Sequence, residues 1–442
     1  MRISFLLLLA PPLAMAADPV QLSLKRAVEV AISPEGSARI QLADEALKQA
    51  QARALEQRAA LLPNVDAAFS DQSRTENLTA LGFNASLFKS IPIPGFSFPT
   101  FVGPFTTVDA RLTGTQNIVD FSILRRYQAS RMSVTAARSD SDAAEEQVAS
   151  QVARAYLAAV LGDADVETAQ SNVTLSEALL KQAENEKEAG TGTGIEITRA
   201  KVQLANDRQH LLVAQNARHS AHLQLLRAIN MRLDAELQLT DKLQYIPVDA
   251  LTIDAARAQA LKQRPDLKAQ QDRESTARLS ASATRLERLP SLSAFGDYGD
   301  IGTGLTRSAP TRTLGIQVRV PLFDGGRRDA RREESVSQYR AETVRTNDLK
   351  EQIELDVRLA LESLESADEQ VKVAQEGLDL ANSELTQARR RYAAGVAVSV
   401  EVTDAQTRLE RARDNTTQAL YSYNLARLDL AQAMGRVRAM VQ

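Results

Sequence analysis

The sequence has no cysteine and no tryptophan, and only 4% of its 442 residues are aromatic. Without cysteine the chain forms no disulfide, has no thiol nucleophile, and offers no cysteine to carry a lipid anchor. So few aromatic side chains do not suit a thick globular core. The abundance of Ala, Leu, Glu, Arg and Gln instead favours long, thin helical packing.

An excess of one charge and long apolar runs are also missing. The 53 basic and 56 acidic residues give a net charge of -3, so the basic face that nucleic-acid binding usually needs is not expected. Beyond the N-terminus no stretch approaches the roughly 18 continuous apolar residues of a membrane-spanning helix. We therefore predict neither a nucleic-acid partner nor a transmembrane helix.

Residues 1–16 are predicted to form a secretory signal peptide. Arg2 supplies the positive charge, residues 3–9 the apolar segment, and Ala14-Met15-Ala16 the small residues of a cleavage site. A first transmembrane helix is the alternative, but the apolar run is too short for one. The protein is therefore expected to be exported.

A seam of apolar residues at alternating steps of four and three runs through residues 353–392. Its mean repeat of about 3.5 residues predicts a coiled coil, and alanine at every second position allows close helix axes. The seam consists of Ile353, Val357, Ala360, Leu364, Ala367, Val371, Ala374, Leu378, Ala381, Leu385, Ala388 and Tyr392.

The same spacing recurs 205 residues earlier, in a looser form that starts at Val148 and includes Ser176. This self-similarity predicts a tandem duplication, with a first repeat at residues 17–246 and a second at residues 247–442. Each repeat has short helices, two strands, a long helix and a return helix. The first has its β-hairpin at 63–119, long helix at 122–189 and return helix at 195–231; the second has them at 290–323, 327–394 and 399–434.

The strands alternate in polarity, most clearly where Leu314, Ile316 and Val318 alternate with Gly315 and Gln317. A half-buried soluble sheet would show the same alternation. We predict these four strands to be the only ones in the chain.

The connection within the first hairpin, residues 78–104, is rich in Phe and Pro. Proline at this density excludes helix and central strand, and phenylalanine at this density is not typical of a solvated linker. Two interpretations stay open: a small loop core, or an element at the lipid headgroups or the pore mouth.

Four strands cannot close a membrane barrel, which needs about 8 or more, whereas three chains would supply 12. Each long helix would measure roughly 100 Å and has no globular core to cover its apolar stripe. Side-by-side packing of three chains solves both problems.

With Arg264-Pro265-Asp266-Leu267 and the glycine-marked turns at 188–200 and 392–406, the whole mature chain resembles the TolC-type outer-membrane efflux ducts. The resemblance implies a mostly α trimeric duct with a small β part: a 12-stranded outer-membrane β-barrel and a periplasmic α-barrel of coiled-coil hairpins. It implies a homotrimer in outer-membrane lipid of a Gram-negative cell, a periplasmic adaptor protein and an inner-membrane pump. The implied function is passive conduction of small molecules, such as drugs and toxic compounds, or of exported peptides.

The resemblance also implies two sets of functional residues at the hairpin turns. The periplasmic gate would comprise Glu196, Tyr392, Glu401 and Asp404, and the adaptor-contact tips Gly190, Gly395, Val396 and Ala397. Simpler roles stay open, because Glu196 suits a helix-capping box, Tyr392 ends the seam, and the glycines suit helix C-caps.

One departure from the family concerns the gate. Ala397 stands where the family has a basic residue that takes part in a salt-bridge lock. The lock is therefore either absent or built from Arg389, Arg390 or Arg391.

The sequence shows no sign of enzymatic or cofactor chemistry. His219 and His222 have no Cys or carboxylate cluster to complete a metal site, and no P-loop or nucleophile elbow is present. Two alternatives to the duct remain, a periplasmic adaptor and a structural coiled-coil protein of the envelope. Fractionation distinguishes them, since a duct should lie in outer membranes, resist salt extraction and run as a trimer in mild detergent.

Overall fold

A computed structural model describes residues 20–82, 99–190, 192–248 and 251–441. The predicted signal peptide and the middle of the Phe- and Pro-rich connection, residues 83–98, lie outside the described residues. The elements are β1 Val20–Leu22, α1 Leu24–Ile32, α2 Ala38–Ala59, β2 Asn64–Asn77, β3 Phe101–Val119, α3 Phe121–Glu188, α4 Gly194–Ala228, β4 Leu237–Leu239, α5 Ile253–Gln263, α6 Pro265–Leu286, β5 Ser291–Gly302, β6 Ser308–Arg319, α7 Arg327–Ala393, α8 Ser399–Ala433 and α9 Val437–Val441.

The chain divides into two compact units, each built from both sequence repeats. The helical unit comprises Met1–Ala46, Arg138–Ala269 and Asn347–Gln442, and the sheet unit comprises Leu47–Ala137 and Gln270–Thr346. No helix of the described chain has an apolar stretch long enough to span a membrane.

The sheet unit holds one antiparallel sheet of four strands in the order β2-β3-β5-β6. The two predicted hairpins are its halves, and β3 joins them by pairing with β5 from Val108 opposite Gly302 to Val119 opposite Leu292. Among the described strands, β2 and β6 each pair on one side only. Both outer edges of the sheet therefore present unpaired backbone groups.

The sheet has an apolar face and a polar face, because the alternation stays in register across all four strands. Leu314, Ile316 and Val318 of β6 lie on the apolar face, and Leu314 is 83% exposed. On the polar face, Arg111 donates to Asp109 and to Asp297, at 3.0 and 2.7 Å. An apolar surface this exposed indicates that something outside the chain covers it.

The predicted seam of α7 is buried in the helical unit. Ile353 and Val357 are fully buried, and most alanine and valine positions further along the seam are nearly so, whereas Ala374 is partly buried. It packs against α8 along its length, and α5 and α6 join the packing near Ile353. The period of 3.5 residues thus identified the packed face of α7.

Arg264 of the Arg-Pro-Asp-Leu motif has a structural role in the helical unit. Its guanidinium donates to Asp266 at 2.7 Å and to Asp356 of α7 at 2.8 Å. Gly435 packs against it with φ +68°, where an added Cβ would lie 2.9 Å from the Arg264 Cα. The motif therefore fixes the start of α6 against α7 and the end of α8.

The prediction of only four strands was wrong. β1 and β4 form a short parallel pair from Val20 opposite Leu237 to Leu22 opposite Leu239. The Tyr156 hydroxyl donates to the Leu22 carbonyl at 2.9 Å and thereby ties the pair to α3. Three-residue strands are too short to show a period of two, so their residues carry no pattern that would predict them.

Candidate functional site

The two hairpin ends, where α3 turns into α4 and α7 turns into α8, carry all the predicted gate and tip residues. At the second end the N–H of Gly395 donates to the Tyr392 carbonyl at 2.9 Å, and the N–H of Val396 donates to the Arg391 carbonyl at 3.0 Å. This is a Schellman C-cap with glycine in the left-handed region, φ +72°. Val396 is exposed and Ala397 half-buried beside it.

The first hairpin end repeats the geometry. Gly190 has φ +79°, and its N–H donates to the Lys187 carbonyl at 3.0 Å. A Cβ on Gly190 or Gly395 would meet nothing within 4 Å. Backbone conformation therefore accounts for glycine at these positions, and packing does not. The surfaces around both glycines remain open.

Glu196 has a capping role in the structure. Its carboxylate accepts from the Thr193 N–H at 2.7 Å, which completes a capping box at the start of α4. This backbone hydrogen bond is the main reason that the pKa of Glu196 is lowered, and the Ser399 hydroxyl contributes. Since Ser399 begins α8, Glu196 also lies beside the second hairpin.

Tyr392 joins the two hairpins directly. Its hydroxyl donates to Glu186 near the end of α3, and its ring packs against the cluster around Leu385 and Ala388. Burial, and then the neighbouring Glu186 carboxylate, raise the pKa of Tyr392. The hydroxyl therefore keeps its proton, and with it the hydrogen bond, at neutral pH.

Arg391 is the arginine that pairs with a predicted gate residue, since its Nε lies 3.3 Å from a Glu401 oxygen. Both side chains are partly exposed, so the pair contributes about 0–1 kcal/mol. Asp404, less than one turn further along α8, is exposed. The structure thus brings Glu196, Tyr392 and Glu401 to neighbouring positions and leaves Asp404 open.

Glu186 was not predicted, although the duplication contains a signal for it. When the two repeats are aligned with the offset of 205 residues that relates the seams, Glu186 corresponds to Arg391 and Glu196 corresponds to Glu401. The second repeat thus has a positive–negative pair where the first has two acids. Like charges do not pair, so Glu186 needs another partner, and Tyr392 supplies a hydroxyl.

The histidines do not form a metal site with the residues described. His222 Nε2 lies 3.1 Å from an Asp163 oxygen, a two-residue contact between α4 and α3. The described chain contains no group of three or more His, Cys, Asp or Glu side chains that could hold a metal ion.

Comparison with solved structures defines the class of protein. The fold matches the outer membrane protein VceC from Vibrio cholerae with a TM-score of 0.78 and 19% identity, covering 93% of this chain and 96% of that one. The outer-membrane channel OprN also gives a TM-score of 0.78, with 18% identity over 93% of this chain and 90% of its own. The chain has the TolC-type fold of trimeric channels, as predicted: mostly helical, with a small β part.

Sequence comparison gives the family. The profile of the outer membrane efflux protein family matches twice, at residues 35–231 and 256–436, and the chain belongs to this family. The double match confirms the tandem repeat. The pyoverdine export outer membrane protein OpmQ of Pseudomonas aeruginosa is 26% identical over 88% of this chain and 80% of its own. The alkaline protease secretion protein AprF of the same species is 24% identical over 70% of this chain and 65% of its own.

The predicted function and location are therefore confirmed. The protein is an outer-membrane channel of a tripartite export system, located in a Gram-negative outer membrane and extending into the periplasm. Family members are channels rather than enzymes, and they work with adaptor and inner-membrane pump partners. The two alternatives, a periplasmic adaptor and a purely structural envelope protein, do not agree with this family membership.

Proposed function

We propose that three copies of this chain form one passive duct, without enzymatic activity, through which a pump and its periplasmic adaptor export their cargo. The observation that carries the proposal is the four-stranded sheet with two unpaired edges. An open edge leaves backbone groups unsatisfied in lipid, so the β6 edge of one chain pairs with the β2 edge of the next. Three chains then close a barrel of 12 strands, four from each.

The two faces of the sheet assign its environment in this duct. The apolar face, with Leu314, Ile316 and Val318, contacts outer-membrane lipid. The polar face, with Arg111, Asp109 and Asp297, lines a water-filled lumen, where the one arginine neutralises one of the two aspartates. The signal peptide at residues 1–16 and the repeats at 17–246 and 247–442 belong to the same proposal.

The hairpin ends form the periplasmic gate in this proposal. Glu196, Tyr392, Glu401 and Asp404 surround the aperture, and threefold symmetry repeats each of them around the axis. The contact from Tyr392 to Glu186 holds the second hairpin against the first, and it favours the closed state. Gly190, Gly395, Val396 and Ala397 form the open surface that an adaptor contacts.

Removing only the Tyr392 hydroxyl is expected to loosen this gate. Tyr392→Phe keeps the ring but loses a hydrogen bond to a carboxylate, a loss of about 1.5–3 kcal/mol. We expect the ratio of open time to closed time per channel, measured in planar lipid bilayers, to rise at least about tenfold over that of the unsubstituted protein. Tyr421→Phe, on α8, is the matched control and should behave as the unsubstituted protein. Equal gating in both variants would rule out the contact as a lock.

The acids at the aperture are expected to set ion preference. Glu401→Gln with Asp404→Asn removes two negative charges per chain, six in a trimer, without changing side-chain size. Cation preference, measured as reversal potential across a KCl gradient, should fall toward that of a neutral pore. Glu376→Gln, an exposed position on α7, is the control. An unchanged reversal potential in the double variant would place these residues outside the aperture.

We propose that the pump, rather than the duct, selects the cargo. The names of the relatives cover export of pyoverdine and secretion of an alkaline protease, two very different cargoes. The lumen residues named above, one arginine paired with two aspartates, form no pocket that would discriminate between such cargoes. Drug sensitivity and secretion profiles of a deletion strain would narrow the class of compound.

A further inference from the structure

A buried hydrogen-bond network joins α3, α4 and α8 a few turns from the hairpin ends. Asp207 is 4% exposed, and it accepts from the Ser176 hydroxyl and from the Gln203 amide at 3.0 Å. Gln406, 1% exposed, donates to Ser176 at 2.7 Å and to Glu410 at 3.0 Å. The Gln203 amide also reaches the second Glu410 oxygen at 3.5 Å. We call these five residues the carboxyl network.

The donors of the carboxyl network are all neutral. The amide of Gln203 is shared between Asp207 and Glu410, and the amide of Gln406 between Ser176 and Glu410. Neither carboxyl forms an ion pair within the described residues. Two carboxyls from different helices are thus held together without a cation, an arrangement that becomes less stable when Glu410 ionises.

The surrounding charged groups do not neutralise the two neighbouring carboxyls. Burial, and then repulsion from Asp207, raise the pKa of Glu410 to about 7, although the Gln406 hydrogen bond opposes this. Arg413, a nearby cation on α8, directs its guanidinium to Asn172 at 3.0 Å. The other titratable groups that face the network region are Asp165 of α3, His210 of α4 and Asp414 of α8. The pKa values of Asp165 and Asp414 are raised mainly by burial. Because both are acids, neither supplies a positive charge that could neutralise Glu410.

The carboxyl network shares its helices with the gate. Glu410 lies six residues beyond Asp404 on α8, about 9 Å along the axis. Ser176 lies ten residues before Glu186 on α3, about 15 Å along the axis. A shift of α8 away from α3 and α4 at the network therefore also displaces Glu401 and Asp404, the two aperture residues on α8.

We propose that the carboxyl network is a pH-sensitive latch, in which ionisation of Glu410 beside Asp207 pushes α8 away from α4 and favours separated hairpin ends. The opening of a channel by this movement rests on the proposed gating function, whereas the movement itself does not.

The direction of the pH effect follows from proton linkage. In the packed arrangement the pKa of Glu410 is about 7, against 4.5 for a glutamate in water. A group with a raised pKa stabilises the packed state fully below its ordinary value and loses that contribution as the pH rises through the raised value. The latch is therefore closed at pH 5 and weakened at pH 8.

The movement is testable because the chain has no cysteine of its own. Asn206→Cys on α4 and Arg411→Cys on α8, both at exposed positions, accept spin labels in trimers diluted with unlabelled chains. Double electron–electron resonance then measures the α4–α8 distance at pH 5 and pH 8. We expect the ratio of longer to shorter distances to rise at least about tenfold, with a midpoint near pH 7.

Glu410→Gln, added to the labelled protein, separates the latch from other titrations. A glutamine keeps the packing and cannot ionise, so the short distance should persist at both pH values. Glu376→Gln, at an exposed position on α7, is the control and should retain the full pH response. Identical distances at pH 5 and pH 8 without Glu410→Gln, or an undiminished response with it, would overturn the latch. Failure of the proposed function would show separately, as absence of conductance in bilayers, and would leave the distance measurement unaffected.

Discussion

Leu314→Arg is expected to abolish stable insertion of the protein into the outer membrane. Leu314 is the most exposed residue in the apolar row of β6, at 83%. An arginine near the bilayer midplane costs about 2–4 kcal/mol, and a trimer would carry three of them. The total is comparable with the stability of a typical folded protein, about 5–15 kcal/mol. The measurement is the fraction of protein that remains in outer membranes after extraction with urea.

Gln317→Arg is the matched control. It adds the same side chain to the same strand, three residues away and on the polar face of the sheet. An arginine there points into the lumen and remains hydrated, so membrane insertion should be close to normal. Equal insertion of the two variants would contradict the assignment of the faces.

Val371→Asp is expected to lower the melting temperature of the helical unit strongly. Val371 is 8% exposed in the α7 seam, and it packs in the cluster with Ala419 and Tyr423 of α8. The cluster buries apolar side chains, so a carboxylate there loses its hydration, and we expect a loss of about 3–5 kcal/mol in the free energy of unfolding. Thermal unfolding followed by circular dichroism measures the effect.

Val373→Asp is the control for this change. It makes the same substitution two residues further along α7, where the valine is 67% exposed. Its effect on the free energy of unfolding should stay within about 0.5 kcal/mol. A melting temperature as low as that of Val371→Asp would mean that charge, rather than burial in the seam, causes the loss.

The fold was predictable where the sequence is periodic over many residues. The α7 seam gave the packed face of that helix, and Ile353 and Val357 are indeed fully buried. The alternation around Leu314 gave β6 and its apolar face. Both patterns are local, so they can be detected in one amino-acid sequence without knowledge of the tertiary contacts.

The remaining features depend on contacts between distant segments. Nothing in either hairpin specifies that β3 pairs with β5, because register between hairpins is set by the assembled sheet. The contact from Tyr392 to Glu186 joins two repeats, so neither turn reveals it alone.

The carboxyl network is one of these long-range features, and a single seam residue indicates it once the structure is known. Ser176 interrupts the looser seam of the first repeat at the position where the second has Ala381. A polar residue at a seam position is a packing fault unless it has a partner. The structure supplies partners in Asp207 and Gln406, so the interruption marks the carboxyl network.

The number of chains in the complex tests the account most directly. Native mass spectrometry of protein extracted from outer membranes in mild detergent should give a single species containing three copies of the mature chain. A monomer, or an assembly of any other size, would contradict it, because the four strands of one chain would then close no barrel of 12.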